Sequence, residues 1–582
     1  MRLTRETALW CAIALLAVLP RALGLDHPLS NAEAANALLA FNALHGTPVA
    51  FPNPLFGWLQ SLVFAVLGDS NVAARVIPAL AGVALCLLPI ALRERMGRAR
   101  ALWMGALLAL SPTLWFASHQ SGGAMLAWTL AFAAFCLWGR RPWLHGALAG
   151  ALLACGQDAV APFIVVALAL LASGRLFAGA TFDSSSTPNS PTPNSPTPSP
   201  REGRMRLPSP LGRGWGWGVA AGATFVMLAS AFLLRPQGIG DAFYGVALWA
   251  QSVTAVTAFP LSRLAAGYAL NDTLLGVAGF AGVIVLLMAR RFSRDEWGWL
   301  AWAGAGLALL VVVQGRNATL LVPVAIAGAA FAAAALAALV SGVAGRDMWV
   351  RFGVAGALAF MLWVYAGLGL RQYAAMGQSS WLLPIAIALL LMLATVSGAS
   401  LIGNVMPAVR GLLAGVAGAM LLHTLGAGLQ MTLVKPDNAA EAYRADVAER
   451  GLAGVDEMIR AMSTRATGEP LSMAVAVPDE APAALRWALR NQNQRVTAGQ
   501  PAPAMMTRDG VKPADGNYIG HAYPIASTAT LAGVGCAPQP QGGADCLPLA
   551  RWIAFREAGA QQMENWVFWV RDDLAQEASG SR

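Results

Sequence analysis

Residues 72–100 read VAARVIPALAGVALCLLPIALRERMGRAR. The first 21 are apolar apart from Arg75, and Arg93, Arg95, Arg98 and Arg100 follow within eight positions. At ~1.5 Å rise per residue, such a run reaches across a hydrocarbon core of ~30 Å. A basic cluster directly after it marks a cytoplasmic loop. The rest of the chain repeats this grammar. Of 582 residues, 57% are hydrophobic and 12% charged, against about 25% charged in soluble domains. Mean hydropathy is +0.55. This composition excludes a soluble enzyme, a disordered scaffold, a fibrous protein and a small disulfide-stapled domain. Sixty glycines suit closely packed membrane helices.

Arg2 and Arg5 precede an apolar run, 8–20, read as an uncleaved first helix. A signal peptide ending near Ala22-Leu23-Gly24 is the rival reading. Twelve further spans follow at 72–92, 101–117, 124–138, 144–155, 159–172, 215–234, 264–289, 297–313, 319–340, 352–370, 382–401 and 411–434. The apolar run 55–67 is too short to cross and suits an interfacial or re-entrant helix. With the N-terminus in the cytoplasm, inner loops carry 19 arginines and outer loops 6. If 55–67 crossed, every later loop would invert and the bias would oppose the positive-inside rule. Thirteen spans place the tail outside. The expected fold is therefore an all-α polytopic membrane domain, 1–434, and an extracytoplasmic α+β domain, 435–582. Residues 25–70 form an outer loop with interfacial helices.

Charge follows this division. Net charge is +12 up to Val434 and −3 beyond it. The basic excess thus belongs to membrane loops, and nucleic acid is not an expected partner. The Ser/Pro/Thr-rich insert, 181–214, repeats Thr-Pro-Asn-Ser-Pro and reads as a disordered cytoplasmic loop. In the tail, 441–462 and 482–490 read as helices, and 472–477, 518–526, 552–556 and 566–571 as strands. Cys11, Cys86, Cys136 and Cys155 fall in spans. Cys536 and Cys546 flank a Pro/Gly-rich outer loop, where a disulfide, free thiols or a metal pair are open readings.

No P-loop, Rossmann glycine motif, His-Glu-x-x-His or Gly-x-Ser-x-Gly elbow is present. The six histidines do not pair at metal-ligand spacing, so no metal site is expected, although a divalent metal stays open. Chemistry is sought among outer-side acids: Asp26, Glu33, Asp69, Asp158, Asp241 and Asp272. The stretch from Leu25 to Ala34 packs Asp26, His27 and Glu33 ahead of an amphipathic helix, 34–44. Glu33 suits either the helix N-terminus or a catalytic role. Arg75 suits either a bidentate lipid-phosphate contact or an interfacial anchor. Asp158, between two short apolar runs, is a pocket candidate or a turn residue.

The order of these features is similar to a known family. It runs through the first helix, the acidic outer loop, Phe-Gly-Trp-Leu (56–59), Gly-Asp-Ser-Asn-Val-Ala-Ala-Arg (68–75), the basic inner loop and Ala-Leu-Ser-Pro (109–112). It resembles the GT-C membrane glycosyltransferases of the protein-O-mannosyltransferase and lipid-A aminoarabinose transferase type. Within these it looks closest to the flippase-activity-associated branch of bacteria and archaea, to which Leu-Arg-Trp-Ala-Leu-Arg (485–490) and Trp-Val-Phe-Trp-Val-Arg (566–571) are also similar. The resemblance implies a cell-envelope transferase that moves a sugar from a polyprenyl-phosphate lipid to an extracytoplasmic lipid, glycan or protein acceptor. A carboxylate would act as base and basic groups would hold the leaving phosphate. Two positions depart from the family pattern. Its outer Asp-Glu-Ala is Ala32-Glu33-Ala34 here, and its Arg and Asp after the Ser-Pro helix are missing from residues 118–124. Glu33 with Asp26 as helper is then the expected base, and Arg75 with His119 the expected phosphate contacts. The alternative is a degenerate relative that binds or flips lipid-linked sugar.

Overall fold

The computed structural model describes residues 4–574 apart from 140, 175–209, 256–258, 291, 342, 344, 403–404, 450, 495–501, 514–516, 530–533, 539–543 and 558–560. Most of the insert expected at 181–214 lies outside the described residues. Four helices open the chain. Helix α1 (Arg5–Ala22) is capped by Thr4 Oγ1, which accepts from the Thr7 amide at 3.2 Å. Helix α2 (Asn31–Leu44) starts at a capping box, in which the Ser30 amide donates to Glu33 Oε2 at 3.1 Å. Helix α3 (Pro54–Leu67) begins on Pro54, with Asn53 Oδ1 accepting from the Phe56 amide. Helix α4 (Asn71–Leu87) is capped by Ser70. At 14 residues, α3 is about 21 Å long, the same length as Ala124–Leu137, which was expected to span.

Among the described residues, five helices are long and apolar enough to cross a membrane: Asn71–Met96, Ala318–Val340, Arg346–Met376, Ser379–Leu401 and Met406–Val434. Two bent pairs raise the number to seven, and Pro54–Leu67, Ala124–Leu137, Gly156–Ala172 and Gly216–Ala229 are shorter apolar helices. The expected span 264–289 is one of the bent pairs. It turns by 86° between Leu261–Asn271 and Thr273–Met288. The cause is Asp272, which is fully buried and accepts from Ser111 Oγ at 2.7 Å, from the Thr113 amide at 3.0 Å and from Thr113 Oγ1. Those partners sit at the other bend, where Arg98–Leu110 turns by 55° into Pro112–His119. A carboxylate with this many donors ties the two breaks together.

Glycine lets the helices touch. A Cβ at Gly411 or Gly415 would collide with the carbonyls of Phe352 and Gly356, and one at Gly282 with that of Phe331. The basic loops meet at one end of the bundle. Arg93 and Arg98 reach Glu6 at 3.8 and 3.7 Å, and Arg100 pairs with Glu296 at 3.0 Å. The acidic loops gather at the other end, against the tail.

The tail holds β1 (Val447–Ala448), β2 (Ala474–Ala476), β3 (Asn493–Gln494), β4 (Ala504–Arg508), β5 (Tyr518–Ala529), β6 (Ala537–Pro538), β7 (Ala544–Asp545) and β8 (Gln561–Arg571). Six form one sheet in the order β1-β5-β8-β4-β2-β3. Strand β8 is antiparallel to both β5 and β4, with Trp569 opposite Gly520 and Met505. Trp487 and Trp566 are each 3% exposed and belong to the core. Cys536 and Cys546 form a disulfide. The helix expected at 441–462 instead begins at Gly451 and ends at Thr467, because 441–446 is a tethered turn. The strand expected at 552–556 lies mostly within a helix, Leu547–Phe555, whose first amide is capped by Asp545 and whose second residue is Pro548. Strand β4, the two-residue strands β1, β3, β6 and β7, and the helix Gly238–Ser252 were not expected from the sequence.

Polar contacts between the tail and residues 25–71 dock the two together. Asn31 Oδ1 accepts from the Ala484 amide at 3.1 Å, and Trp487 Nε1 donates to Asn71 Oδ1 at 2.8 Å. Arg490 Nε donates to Asp69 Oδ2 at 2.8 Å, with its guanidinium 3.9 Å above the Trp487 ring.

Candidate functional site

Two cavities adjoin where the outer loop, the ends of the membrane helices and the tail meet. The larger, of about 360 Å³, has Glu33, Asp158, Tyr443, Arg444 and Asp446 in its wall. Ala32 and Ala124, where the resemblance places acids, line the same cavity. The smaller, of about 50 Å³, is walled by His27, Arg75, His119, Asp437 and Arg444 among others. Arg444, Ser30, Phe116 and Gln120 are common to both.

The capping box puts Glu33 at the cavity, 2% exposed. Its Oε1 accepts from Arg75 Nε at 2.8 Å and from the Ser121 amide at 2.9 Å. Its Oε2 accepts from Arg75 Nη2 at 2.9 Å and from the Ser30 amide. Burial alone would raise the Glu33 pKa. The charge and hydrogen bonds of Arg75, with the two amides, outweigh burial and hold Glu33 below the usual carboxylate range. Arg75 spends its remaining donors on main-chain oxygens of Leu25, His27 and Pro28, at 3.0, 2.6 and 3.2 Å. The two expected site residues are thus brought together, but chiefly to each other.

His119 is also internally engaged. Its ring nitrogens face the carbonyls of Trp115 at 2.8 Å and Leu23 at 2.9 Å. Asp26 is exposed and lines neither cavity. Asp158 lies in a 3-10 turn, Gly156–Ala159, held where the Gln157 amide donates to the Pro52 carbonyl. Its Oδ2 accepts from Asn53 Nδ2 at 2.7 Å. Burial pushes its pKa up to about 6, against weaker opposing hydrogen bonds from Asn53 and the Gly123 amide. That amide belongs to the residue before Ala124.

Arg444 was not singled out in the sequence, where 441–462 read as a helix. In the structure its Nη2 donates to the Met431 carbonyl at 3.3 Å and its guanidinium lies 5.7 Å from the Phe116 ring centre. Its Nε is buried with no hydrogen-bond partner. Burial, with Arg75 adding and Glu33, Glu441 and Asp437 opposing, holds Arg444 below the usual arginine range. Burial also lowers the His27 pKa, with Asp26 opposing, which favours the neutral ring. Arg75 is cancelled by Glu33. Arg444 is therefore the cation at the neck of the two cavities that lacks a salt-bridge partner among the described residues. Those residues contain no group of three or more His, Cys, Asp or Glu that could hold a metal.

No family profile and no curated protein matches the chain. Solved structures do. ArnT from Cupriavidus metallidurans bound to undecaprenyl phosphate aligns over 85% of this chain and 86% of its own, with TM-score 0.51 and 16% identity. ArnT in the apo state aligns with TM-score 0.45 and 17% identity, over 83% of this chain and 84% of its own. The Archaeoglobus fulgidus oligosaccharyltransferase tethered to an acceptor peptide aligns over 84% of this chain and 63% of its own, with TM-score 0.42 and 15% identity. ArnT and this oligosaccharyltransferase are GT-C proteins. The likeness to lipid-bound ArnT shows that this chain shares its fold.

Proposed function

We propose that this protein is a membrane glycosyltransferase that moves a sugar from a polyprenyl-phosphate lipid to an extracytoplasmic lipid, glycan or protein acceptor. The observation that carries this reading is one cavity with an arginine that has no salt-bridge partner among the described residues at its neck and a carboxylate of raised pKa in its wall. Arg444 would hold the single phosphate of the donor. Asp158, ionised at neutral pH with a pKa of about 6, suits a general base. It takes the proton as the acceptor oxygen bonds to the anomeric carbon. The bond from that carbon to the phosphate oxygen breaks, and the lipid phosphate leaves against Arg444. The acid lacking at Ala124 is thus supplied from the turn whose Asp158 meets the Gly123 amide. Glu33 and Arg75 brace the cavity, and His119 braces the wall behind the phosphate. Asp26 takes no part in the chemistry.

The same reading puts the protein in a bacterial or archaeal plasma membrane with thirteen spans, a cytoplasmic N-terminus and the 435–582 domain outside. Two features support that orientation. Contacts among the basic loops join segments assigned to the same side, and the Cys536–Cys546 disulfide suits an oxidising exterior. The test is transfer of labelled sugar from polyprenyl phosphate by the purified chain in lipid. Wild type is expected to transfer and Asp158→Asn to fail. Donor binding without transfer by either protein would favour the degenerate, lipid-sugar-binding alternative, which the alanines at 32 and 124 motivate.

A further inference from the structure

The turn that carries Tyr443 and Arg444 has no regular hydrogen-bond ladder, yet four separate parts of the molecule hold it. From the helix Leu261–Asn271, the buried Arg263 gathers carbonyls. Its Nη2 donates to Ala439 at 3.2 Å, to Glu441 at 3.0 Å and to Arg444 at 2.7 Å, and its Nη1 donates to Ala529 at 3.1 Å. From the same helix, Asn271 Nδ2 donates to Glu441 Oε1 at 3.0 Å, and Arg556 of the tail lies 3.4 Å from Glu441 Oε2. From the bend at Pro112, Thr113 Oγ1 meets the Tyr443 hydroxyl at 2.8 Å. From the outer loop, the Asn31 amide donates to Asp446 Oδ2 at 3.1 Å.

Of these holders, only Arg263 bonds the main chain of Arg444 itself. A planar guanidinium directs Nη2 at the turn and Nη1 at Ala529 at once, whereas a single lysine ammonium cannot occupy both positions. Its reach also ties the turn to Ala529, at the end of β5. We infer that Arg263 is a positioning residue for lipid-phosphate binding, acting by fixing the main chain from which Arg444 reaches the neck of the two cavities. This rests on the assignment of the phosphate to Arg444. It adds a residue outside both cavities whose loss is felt only through that cation.

The experiment is a double-mutant cycle on the full chain in phosphatidylcholine nanodiscs, with undecaprenyl phosphate as the probe and its dissociation constant as the readout. Arg263→Gln is expected to weaken binding about tenfold in the wild-type background and to have no further effect in Arg444→Gln. Arg263→Lys is expected to restore only part of the loss. A loss that is equal in both backgrounds, or no loss from Arg263→Gln, would overturn the inference. Should Arg263→Gln fail to fold, Arg263→Lys carries the same cycle. An Arg444→Gln variant that binds the lipid as wild type does would instead refute the phosphate assignment itself.

Discussion

Replacing Glu33 by Gln tests whether this carboxylate braces the outer loop or performs chemistry. The side chain accepts four hydrogen bonds, two of them from Arg75, and both residues are nearly inaccessible. An amide keeps one acceptor oxygen but turns an NH2 group toward donors, and it leaves Arg75 charged and buried without a counter-ion. Breaking one side of such a pair costs about 3–5 kcal/mol. Arg75→Gln should cost a similar amount, because Glu33 is then the orphan. The double variant removes both charges, so it should be less destabilised than the sum of the singles. The assay is thermal unfolding in nanodiscs, following the protection of the outer loop from protease. The pH dependence has a definite sign. Glu33 is depressed in the folded state, so its contribution is full above the ordinary carboxylate range near ~4.3. It is lost only as pH falls through the lower folded value. Glu33→Gln should remove that acid limb. An unchanged melting temperature combined with abolished transfer would refute this reasoning and return Glu33 to the role of base.

Other outcomes follow from the same geometry. Arg444→Gln should weaken undecaprenyl phosphate binding about 10- to 100-fold, the worth of one or more charge-assisted hydrogen bonds, as read by titration in nanodiscs. Transfer by wild type should rise with pH through about 6 as Asp158 ionises, and a wild-type pH–rate profile flat across that range would contradict the assignment. Gly282→Ala would drive a methyl group against the Phe331 carbonyl and should destabilise the helix pair by about 1–3 kcal/mol, seen as a lower melting temperature. Reduction of the Cys536–Cys546 disulfide should release two thiols to a membrane-impermeant reagent added outside intact cells, and none to the same reagent without reductant.

The helical, membrane-type character of the chain was legible because lipid imposes simple rules, although five described helices, or seven with the bent pairs, are long and apolar enough to cross, against the thirteen spans expected. The basic loop from Arg93 to Arg100 and the short apolar run of α3 each carry their meaning locally. The Ser30–Glu33 capping box was equally readable, being a spacing rule within four residues. What escaped the reading depends on distant partners. Asp272 looked like a charge near the end of one span, yet Ser111 and Thr113, about 160 positions away, turn it into the tie between two bent helices. Residues 441–446 had helical composition, but Arg263 and Asn271 capture their carbonyls and the Glu441 side chain before a helix can form. Arg444 was hidden by that same misreading. The helix Leu547–Phe555 did carry a local signal, Asp545 and Pro548 at its start, which the β-like Trp552-Ile553-Ala554-Phe555 obscured. Glu33 and Arg75 stood out in the sequence as charges near a membrane, but nothing there indicated that they neutralise each other.

The most direct test of the central claim is single-turnover transfer in vesicles. The purified chain would be given labelled polyprenyl-phosphate sugar and a crude envelope acceptor pool, with Asp158→Asn and Glu33→Gln in parallel. The account predicts label on the acceptor with wild type, loss of transfer in Asp158→Asn with donor binding intact, and residual transfer in folded Glu33→Gln. Tight donor binding by all three proteins, with no label transferred and no sugar released, would contradict it and leave a lipid-sugar-binding accessory in its place.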